Sequence, residues 1–448
     1  MVDNRVTFGS KLGVILATVG CAVGLGSIWR FPYMLGTNGG AAFLLIYILF
    51  MIFLGIPVMV TEFFIGRYSR SNTVGSFKKM APGTKWCWIG YNGILAAFLI
   101  LGFYAVVSGW TLEYVWQTVN GSLYSTPGVD FTADFDNFSS NALRPIFWTA
   151  VFIGLTHFVI ASGVEKGIER ASKIMMPLLF FILVVMCVRS VTLPNAEAGL
   201  VYLFKPDFSK LTSSVVLSAV GQAFFSLSLG MGTMITYGSY IPKHENMFRM
   251  ATTIAITDTC VAILAGLAIF PAVFSYGINP TSGPELVFIT LPTVFGNMAG
   301  GYVLGILFFF LLFTASISSS VSLLEVATLY ISEEMHLRRR TATLIAVVVV
   351  AALSSLCLWS QLPDSSLRIL GMNIFDLFNN LTSLYMLPLG GLLSVLFAGW
   401  FMRNKTLQDE VTSRGRYGSS IYPYYRIIVR FVAPVVIVLL FLDQLNVI

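Results

Sequence analysis

The residues best suited to chemistry lie in a glycine-rich segment near the amino end. Residues 20–32 read Gly-Cys-Ala-Val-Gly-Leu-Gly-Ser-Ile-Trp-Arg-Phe-Pro within a long apolar run. Glycine costs a helix about 1 kcal/mol relative to alanine, and unpaired peptide groups are costly in hydrocarbon, so a break here requires a protected cavity. Its carbonyls can bind a small hard cation and its N–H groups a carboxylate. Residues 20–27 are therefore predicted to form half of a binding site at mid-membrane depth.

Two later segments have related chemistry. Residues 222–232 read Gln-Ala-Phe-Phe-Ser-Leu-Ser-Leu-Gly-Met-Gly, a second polar and glycine-rich interruption, and residues 314–320 hold five hydroxyl side chains. Helix packing alone can explain a G-x-G sequence, and hydroxyls often bond carbonyls of their own helix. Two interrupted helices at matching places in two halves are instead typical of a secondary transporter's site. The hydroxyls would then be uncharged ligands for a desolvated cation.

Asp258 is the one charged residue between Arg249 and Glu285. A carboxylate within a membrane helix is costly unless it serves an ion path or has a partner. We expect Asp258 to belong to the binding site. A protonated Asp258 that only joins helices remains an alternative, and proton exchange at this residue during a transport cycle is also left open.

The composition excludes an ordinary soluble domain. Of 448 residues, 56% are hydrophobic and 11% are charged, which is typical of a polytopic membrane protein. The five cysteines show neither a disulfide framework nor metal-ligand spacing, and the polar amino end lacks a signal-peptide cleavage site. Because membrane orientation explains the net charge of +6, we expect the partner to be the lipid bilayer and not nucleic acid.

Apolar runs between charged segments predict about eleven transmembrane helices in an all-α protein. The cytoplasmic ends assigned by the positive-inside rule carry 21 of the 27 lysines and arginines. This asymmetry predicts a cytoplasmic amino end and, with an odd number of spans, an extracellular carboxyl end. The predicted spans are 11–36, 41–68, 88–118, 145–163, 168–189, 212–240, 246–275, 300–335, 341–359, 369–401 and 422–445.

The run from Ala22 to Pro32, the segment from Gly221 to Tyr240 and the Ser318-Ser319 pair resemble the neurotransmitter:sodium symporter family. The chain is most similar to its short bacterial members with eleven helices, which carry several hydrophobic amino acids. The resemblance implies the leucine-transporter fold, a 5+5 inverted repeat in which helices 1 and 6 are broken. It implies one transporter domain over 1–448, with repeats at 11–189 and 212–401 and an extra carboxyl-terminal helix at 422–445.

The family's motifs also imply the ligands, including two sodium ions and no organic cofactor. Sodium site 1 would comprise Ala22, Ser27, Ser226 and Asp258, although Ser27 is shorter than the asparagine of leucine carriers. Sodium site 2 would comprise Gly20, Val23, Ala315, Ser318 and Ser319. The substrate site would comprise Cys21, Ala22, Leu25, Gly26, Ile100, Phe103, Tyr104, Phe225, Ser226, Ser228, Met231, Ser319 and Leu323.

The same resemblance implies the cargo and its coupling. Gly24 replaces the aspartate of amine carriers, which favours an intact amino acid, and the flexible Met231 favours both aliphatic and aromatic side chains. Asp258 stands beside the positions of Tyr47, Gln222 and Ser226, which hold chloride in chloride-dependent relatives. The implied function is therefore sodium-coupled, chloride-independent uptake of hydrophobic L-amino acids across the plasma membrane, the inner membrane of a bacterium.

The gates are expected at the two ends of the binding site. Arg30 would close the outside through Asn379 or Asp376, and Arg5 would pair with Glu333 on the inside beside Tyr240. Gly167 and Pro177 would bracket a segment of the fifth span that unwinds to release sodium. In addition, Glu62 would accept hydrogen bonds from the broken sixth span, and Glu325 and Asp376 are both candidates to face water in one of the two vestibules.

Two alternatives remain open from the sequence. A proton-coupled permease of the same architecture would carry a basic side chain in place of sodium. A non-transporting receptor or a membrane enzyme is another class, but His157, His244 and His336 lie far apart and no nucleophile-base pair is evident. No G-x-x-x-x-G-K motif supports an ATP-driven pump. The preferred amino acid and the oligomeric state do not follow from the sequence.

Overall fold

The computed structural model describes residues 11–124, 130–141, 143–277, 287–363 and 365–444. Within these ranges nine helices are long and apolar enough to cross a membrane, and a tenth span consists of two bent segments. The apolar helix Ser213–Ser226 is shorter, and we number it together with Thr233–Gly238 as the interrupted sixth span. The predicted fold class is confirmed.

The uninterrupted spans lie within a few residues of the predicted ranges, because long apolar runs fix them. Their bounds, numbered 2 to 5 and 7 to 11, are Ala41–Ser69, Cys87–Val119, Leu143–Ala161, Val164–Val191, Met247–Ser275, Gly301–Glu334, Arg339–Gln361, Ile374–Phe401 and Tyr422–Asp443. Several of them contain a π-helical turn, among them Met51–Gly55, Val164–Glu169, Leu381–Met386, Phe397–Phe401 and Ile428–Val432.

Span 1 breaks where its glycines predict. The helix Lys11–Ala22 ends before Gly24, and a π-helical turn, Gly26–Arg30, continues into the helix Phe31–Thr37. The two halves are bent by 44°. A β-carbon on Gly24 would lie 1.9 Å from the Ser319 Oγ, so the glycine permits span 1 to approach span 8.

Span 6 is interrupted between Ser226 and Thr233, where three residues adopt left-handed conformations. Ser228, Gly230 and Gly232 have φ angles of 54°, 77° and 78°. A β-carbon on Gly230 would lie 2.0 Å from the Leu387 carbonyl oxygen, so this break also packs directly on span 10. The break in span 1 thus packs closely on span 8, and the break in span 6 packs closely on span 10.

Spans 3 and 8 form the centre of the molecule, and the other spans surround them. The apolar part of span 3 is 89% buried, whereas that of span 11 is 28% buried. Short helices connect the spans at Thr73–Met80, Phe131–Ser139, Ala196–Phe204, Thr290–Gly296 and Asn404–Val411, with 3-10 turns at Ser122–Tyr124 and Phe208–Lys210. Strands Arg368–Ile369 and Met372–Asn373 pair antiparallel. Functional side chains on spans 1, 3, 6 and 8 can therefore meet in the interior.

Candidate functional site

A small cavity lies between the two helix breaks and spans 3 and 8. All of its lining residues belong to the predicted substrate site: Cys21, Ala22, Gly26, Ile100, Tyr104, Phe225, Ser228, Met231, Ser319 and Leu323. The break in span 1 already presents a donor to this cavity, since the Leu25 N–H donates to the Tyr104 hydroxyl at 3.1 Å. The cavity lining is mostly apolar, and the Leu25 N–H and the Tyr104 hydroxyl are polar groups to which a carboxylate could bind.

The three other predicted substrate residues lie beside the cavity. Leu25 reaches it through its backbone, as described. Phe103 is buried and packs its ring 5.6 Å from that of Phe375. Ser226 faces a second polar cluster at the end of the first half of span 6.

That second cluster is built around the carboxylate of Asp258, which is fully buried. Ser27 donates a hydrogen bond to its Oδ1. Ser226 and Tyr47 donate to its Oδ2 at 2.6 and 3.1 Å. The Ser27 and Ser226 hydroxyls are 3.1 Å apart. Ser27 is therefore long enough to join the cluster, and three of the four residues predicted for sodium site 1 meet here, while Ala22 lines the adjacent cavity.

The residues predicted for sodium site 2 meet on the opposite side of the span 1 break. The Ser318 hydroxyl donates to the Ala315 carbonyl at 2.8 Å and to the Val23 carbonyl at 3.3 Å. The Ser319 hydroxyl lies 3.3 Å from the Cys21 carbonyl oxygen. Gly20 lies beside them, because a β-carbon there would be 3.5 Å from the Ser318 Cβ. Carbonyl oxygens at a helix break of this kind can coordinate a small cation such as Na⁺.

The predicted contact of Glu62 is confirmed. Its Oε1 accepts a hydrogen bond of 2.8 Å from the Gly230 N–H in the break of span 6. A second contact joins the two breaks, since the Ser228 hydroxyl donates to the Cys21 carbonyl at 3.2 Å. The irregular backbone of span 6 is thereby held by side chains, as a buried break requires.

The outer side of the site differs from the expectation for Arg30. Its Nη1 donates to the Gln222 Oε1 at 3.0 Å, and its guanidinium lies 4.4 Å from the centre of the Phe225 ring. In this structure Arg30 therefore contacts span 6 and not Asn379 or Asp376. Asp376 lines a separate outer cavity and accepts a 2.8 Å hydrogen bond from Asn373, and Asn379 accepts a 3.3 Å hydrogen bond from Ser383.

Gln222 holds Arg30 against the break, and its partners were not predicted from the sequence. While its Oε1 accepts from Arg30, its Nε2 donates to the Gly26 carbonyl at 2.9 Å. The two partners lie more than 190 residues away along the chain. A polar glutamine within an apolar run indicates a buried hydrogen bond. The sequence of the run does not specify which groups the glutamine bonds.

The inner side of the site is described only in part, because Arg5 lies outside the described residues. Glu333 accepts hydrogen bonds of 2.7 and 3.0 Å from the backbone and side chain of Asn72. The Tyr240 hydroxyl donates to the Glu325 Oε1 at 2.6 Å. Glu325 is fully buried and ion-paired with Arg339. Glu325 therefore does not face water, whereas Asp376, the other candidate, is exposed.

Gly167 and Pro177 both lie in span 5, in different kinds of helix. Gly167 belongs to the π-helical turn Val164–Glu169, and Pro177 lies within the α-helix Arg170–Val191. Met176, next to Pro177, packs against Gly20, where a β-carbon would lie 3.5 Å from its Sδ. Span 5 thus contacts the region predicted for sodium site 2.

Comparison with known proteins agrees with this geometry. The model described as "Sodium:neurotransmitter symporter family" matches residues 5–129 and 141–448. The chain is 38% identical over 445 residues to YhdH, an uncharacterized sodium-dependent transporter of Bacillus subtilis (strain 168), and the match covers 99% of each chain. It is 29% identical over 424 residues to the sodium-dependent serotonin transporter of Drosophila melanogaster, covering 84% of this chain and 68% of that protein.

Among solved structures, the crystal structure of MhsT in complex with L-phenylalanine superimposes with a TM-score of 0.92. The two sequences are 44% identical, and the match covers 98% of this chain and 99% of the other. The match therefore extends over nearly the whole molecule. The chain therefore belongs to the sodium:neurotransmitter symporter family, and it is a multi-pass membrane protein of the leucine-transporter fold.

Proposed function

We propose that this protein is a chloride-independent symporter that couples sodium to the uptake of hydrophobic L-amino acids, both aliphatic and aromatic. The observation that carries the proposal is the placement of one apolar cavity between two oxygen-rich clusters, all three formed by the same break in span 1. A cation and an apolar zwitterion that share this break stabilise each other's binding, which is the requirement for coupled transport.

The Asp258 cluster would bind one sodium ion, and the Ser318 cluster would bind another. Asp258 supplies a carboxylate that no basic side chain neutralises among the described residues, and Ser27 and Ser226 supply hydroxyl oxygens beside it. The Ser318 cluster offers only neutral oxygens, namely the carbonyls of Val23 and Ala315 and two hydroxyls. Because neutral oxygens attract a cation less strongly than a carboxylate does, the ion at the Ser318 cluster would be released first. It would leave toward the side where span 5 would unwind between Gly167 and Pro177.

The cavity favours an amino acid with an apolar side chain. Its lining is largely hydrocarbon and sulfur, while Tyr104 and the Leu25 N–H would bind the cargo carboxylate. Gly24 leaves no room for an aspartate that could pair with an amine, because its β-carbon would collide with Ser319. The relative MhsT was solved with L-phenylalanine, which supports an amino acid as the cargo here.

The hydrogen bonds around Asp258 support the proposal that transport does not require chloride. Tyr47 and Ser226 donate to its carboxylate, and Gln222 donates to the Gly26 carbonyl. The donors that would otherwise bind an anion therefore already have acceptors. A fixed carboxylate would replace the negative charge that chloride supplies in other members.

Alternating access would then open one side of the site at a time. Arg30, stacked on Phe225 and bonded to Gln222, would close the outer side, and Asn379 and Asp376 are candidate partners in a differently closed state. Arg5, Glu333 and Tyr240 would close the inner side. The charge distribution supports a cytoplasmic amino end, and repeats at 11–189 and 212–401 would move about the shared site.

Uptake by purified protein in liposomes tests this function. We expect an inward sodium gradient to drive accumulation of leucine, phenylalanine and tryptophan, with full activity when gluconate replaces chloride. Potassium replacing sodium should abolish accumulation, and protein-free liposomes serve as the control. Accumulation driven by a pH gradient without sodium would favour the proton-coupled alternative, and collapse of uptake in gluconate would refute chloride independence.

The breadth of the cargo is tested by changing Met231 to phenylalanine. The rigid ring should reduce tryptophan uptake relative to leucine uptake by about fivefold, because an overfilled pocket costs roughly 1–3 kcal/mol. Sodium affinity measured with leucine should stay the same. An unchanged ratio of tryptophan to leucine uptake would contradict a size limit at Met231.

A further inference from the structure

Arg430 carries a charge inside span 11, two helical turns beyond the first residue of the span, Tyr422. Its guanidinium lies 4.3 Å from the centre of the Trp400 ring and 5.6 Å from that of the Phe431 ring. The Trp400 indole N–H donates to the Arg430 carbonyl at 2.9 Å. The side chain is thus held in one place by span 10 and by its own helix.

Arg430 packs closely against span 10 on one side, and on the other side it lies beside exposed aromatic rings. Gly399 permits contact between the two backbones, since a β-carbon there would lie 3.3 Å from the Arg430 Cα. Trp400 and Phe431 are each about half exposed, at 54% and 52%. In a membrane these exposed rings face lipid, so the guanidinium that contacts them lies at the boundary between protein and lipid.

Arg430 has no acidic partner among the residues that the structure describes. Its Nε is buried, and no described residue accepts a hydrogen bond from it. Glu410, from the connection between spans 10 and 11, instead pairs with Arg67 at 2.8 Å. Because an arginine within a membrane span is costly unless it is paired or reaches the interface, an anion supplied by the membrane would remove this cost.

The surrounding charges favour the same kind of partner. Arg426 precedes Arg430 by four residues and so lies on the same face of the helix. Arg403 follows the end of span 10, close in sequence to Trp400. Exposed aromatic rings with basic residues at a membrane interface are typical of contacts with lipid headgroups.

We propose that the ends of spans 10 and 11 form a binding site for an anionic phospholipid, whose phosphate pairs with the guanidinium of Arg430. Trp400 and Phe431 contact the upper part of its acyl chains, and Arg426 and Arg403 add positive charge around the headgroup. The bound lipid fastens span 11, which lies outside the proposed repeats, to span 10. The site is distinct from the cargo site and does not depend on which amino acid is carried.

Native mass spectrometry of the purified full-length protein with added phosphatidylglycerol or phosphatidylcholine tests the site. The wild-type protein should retain phosphatidylglycerol in preference to phosphatidylcholine. Arg430→Gln should reduce that retention by about fivefold, since each basic residue near a membrane surface contributes about that factor. Arg430→Lys should retain an intermediate amount, and Arg414→Gln, which removes an exposed charge from the 10–11 connection, should behave as wild type.

Thermal unfolding measures the same interaction without transfer of the protein to the gas phase. Phosphatidylglycerol should raise the midpoint of the wild-type protein more than that of Arg430→Gln, while inorganic phosphate should leave both unchanged. Equal retention and equal stabilisation in the wild type and in Arg430→Gln would overturn the proposal. Equal losses in Arg430→Gln and Arg414→Gln would indicate only general adhesion to a basic surface, which also overturns it.

Discussion

Two buried carboxylates in this protein differ in how their charge is accommodated. Asp258 and Glu325 are both fully inaccessible to solvent. Asp258 accepts hydrogen bonds from three hydroxyl groups, those of Ser27, Ser226 and Tyr47. Glu325 accepts one hydroxyl bond from Tyr240 and is ion-paired with Arg339.

The difference separates a carboxylate that can bind an ion from one that holds structure. Hydroxyl dipoles stabilise a carboxylate but leave its net charge, so Asp258 retains a field that attracts a cation. The guanidinium of Arg339 cancels the charge of Glu325, and the pair fixes the start of span 9 against span 8. Burial alone therefore does not indicate function, whereas the chemistry of the partners does.

The largest expected effect comes from breaking the Glu325 pair. Arg339→Met leaves a buried carboxylate without a counter-ion, which costs about 3–5 kcal/mol in comparable sites. Because the Arg339 side chain is 27% exposed, we expect a loss near the lower end of that range. The measurement is thermal unfolding of the purified protein.

The control is the double variant Arg339→Met with Glu325→Met, which removes both charges together. It should recover most of the lost stability, since an apolar pair often replaces a buried ion pair at little cost. If the double variant were as unstable as the single one, the pair would not be acting through charge.

The next effect concerns Asp258, where removing the charge should change function more than stability. Asp258→Asn keeps the size of the side chain but removes the charge that a sodium ion would meet. We expect uptake in chloride-free buffer to fall about 100-fold, equal to ~2.7 kcal/mol in sodium binding. Adding chloride should restore part of the activity, because the hydroxyls of Tyr47 and Ser226 then lack their carboxylate acceptor and can bind an anion.

Asp207→Asn is the matched control, because Asp207 is an exposed carboxylate in the connection between spans 5 and 6. It should transport as wild type does. Full activity of Asp258→Asn in gluconate buffer would show that the carboxylate has no part in sodium coupling.

How far the sequence predicts these sites depends on whether the signal is local. The breaks of spans 1 and 6 follow from glycines that lie within each segment, and hydropathy places all eleven spans to within a few residues. The family's motifs then select the residues around the cavity. In each case the information lies in a short stretch of sequence.

Pairings between spans are not local, and these were mispredicted or missed. Arg30 bonds Gln222, which lies 192 residues away. Glu325 pairs with Arg339 across a turn, but an apolar helix does not specify which of its faces points inward, so the sequence alone left both Glu325 and Asp376 as candidates to face a vestibule. The helix Phe131–Ser139 was also not predicted, because its polar residues resemble those of an exposed loop.

A smaller effect is expected at the neutral cluster, which lacks a carboxylate. Ser318→Ala removes a hydroxyl that bridges the carbonyls of Val23 and Ala315. We expect the sodium concentration for half-maximal uptake to rise about tenfold, as the loss of one ligand is worth roughly 1–1.5 kcal/mol. Ser320→Ala is the control on the same helix, because the buried Ser320 hydroxyl has no hydrogen-bond partner in the part of the chain that the structure describes and lies beside a different cavity. Equal effects of the two variants would place the sodium ion elsewhere.

The smallest expected effects separate the two carboxylates most directly, because the same hydroxyl group is removed beside each. Tyr47→Phe deletes a 3.1 Å donor to Asp258, and Tyr240→Phe deletes a 2.6 Å donor to Glu325. With Arg339 still in place, loss of the Tyr240 hydroxyl should lower stability by only about 0.5–1.5 kcal/mol and leave sodium affinity within about twofold. Loss of the Tyr47 hydroxyl should instead weaken sodium binding about fivefold, because the donors around Asp258 orient its oxygens toward the ion.

Sodium titrations of uptake and unfolding curves measured on both variants decide between these outcomes. If Tyr240→Phe changed sodium affinity as much as Tyr47→Phe, then Glu325 would also act in ion coupling, and the distinction between a charged site and a neutralised pair would fail.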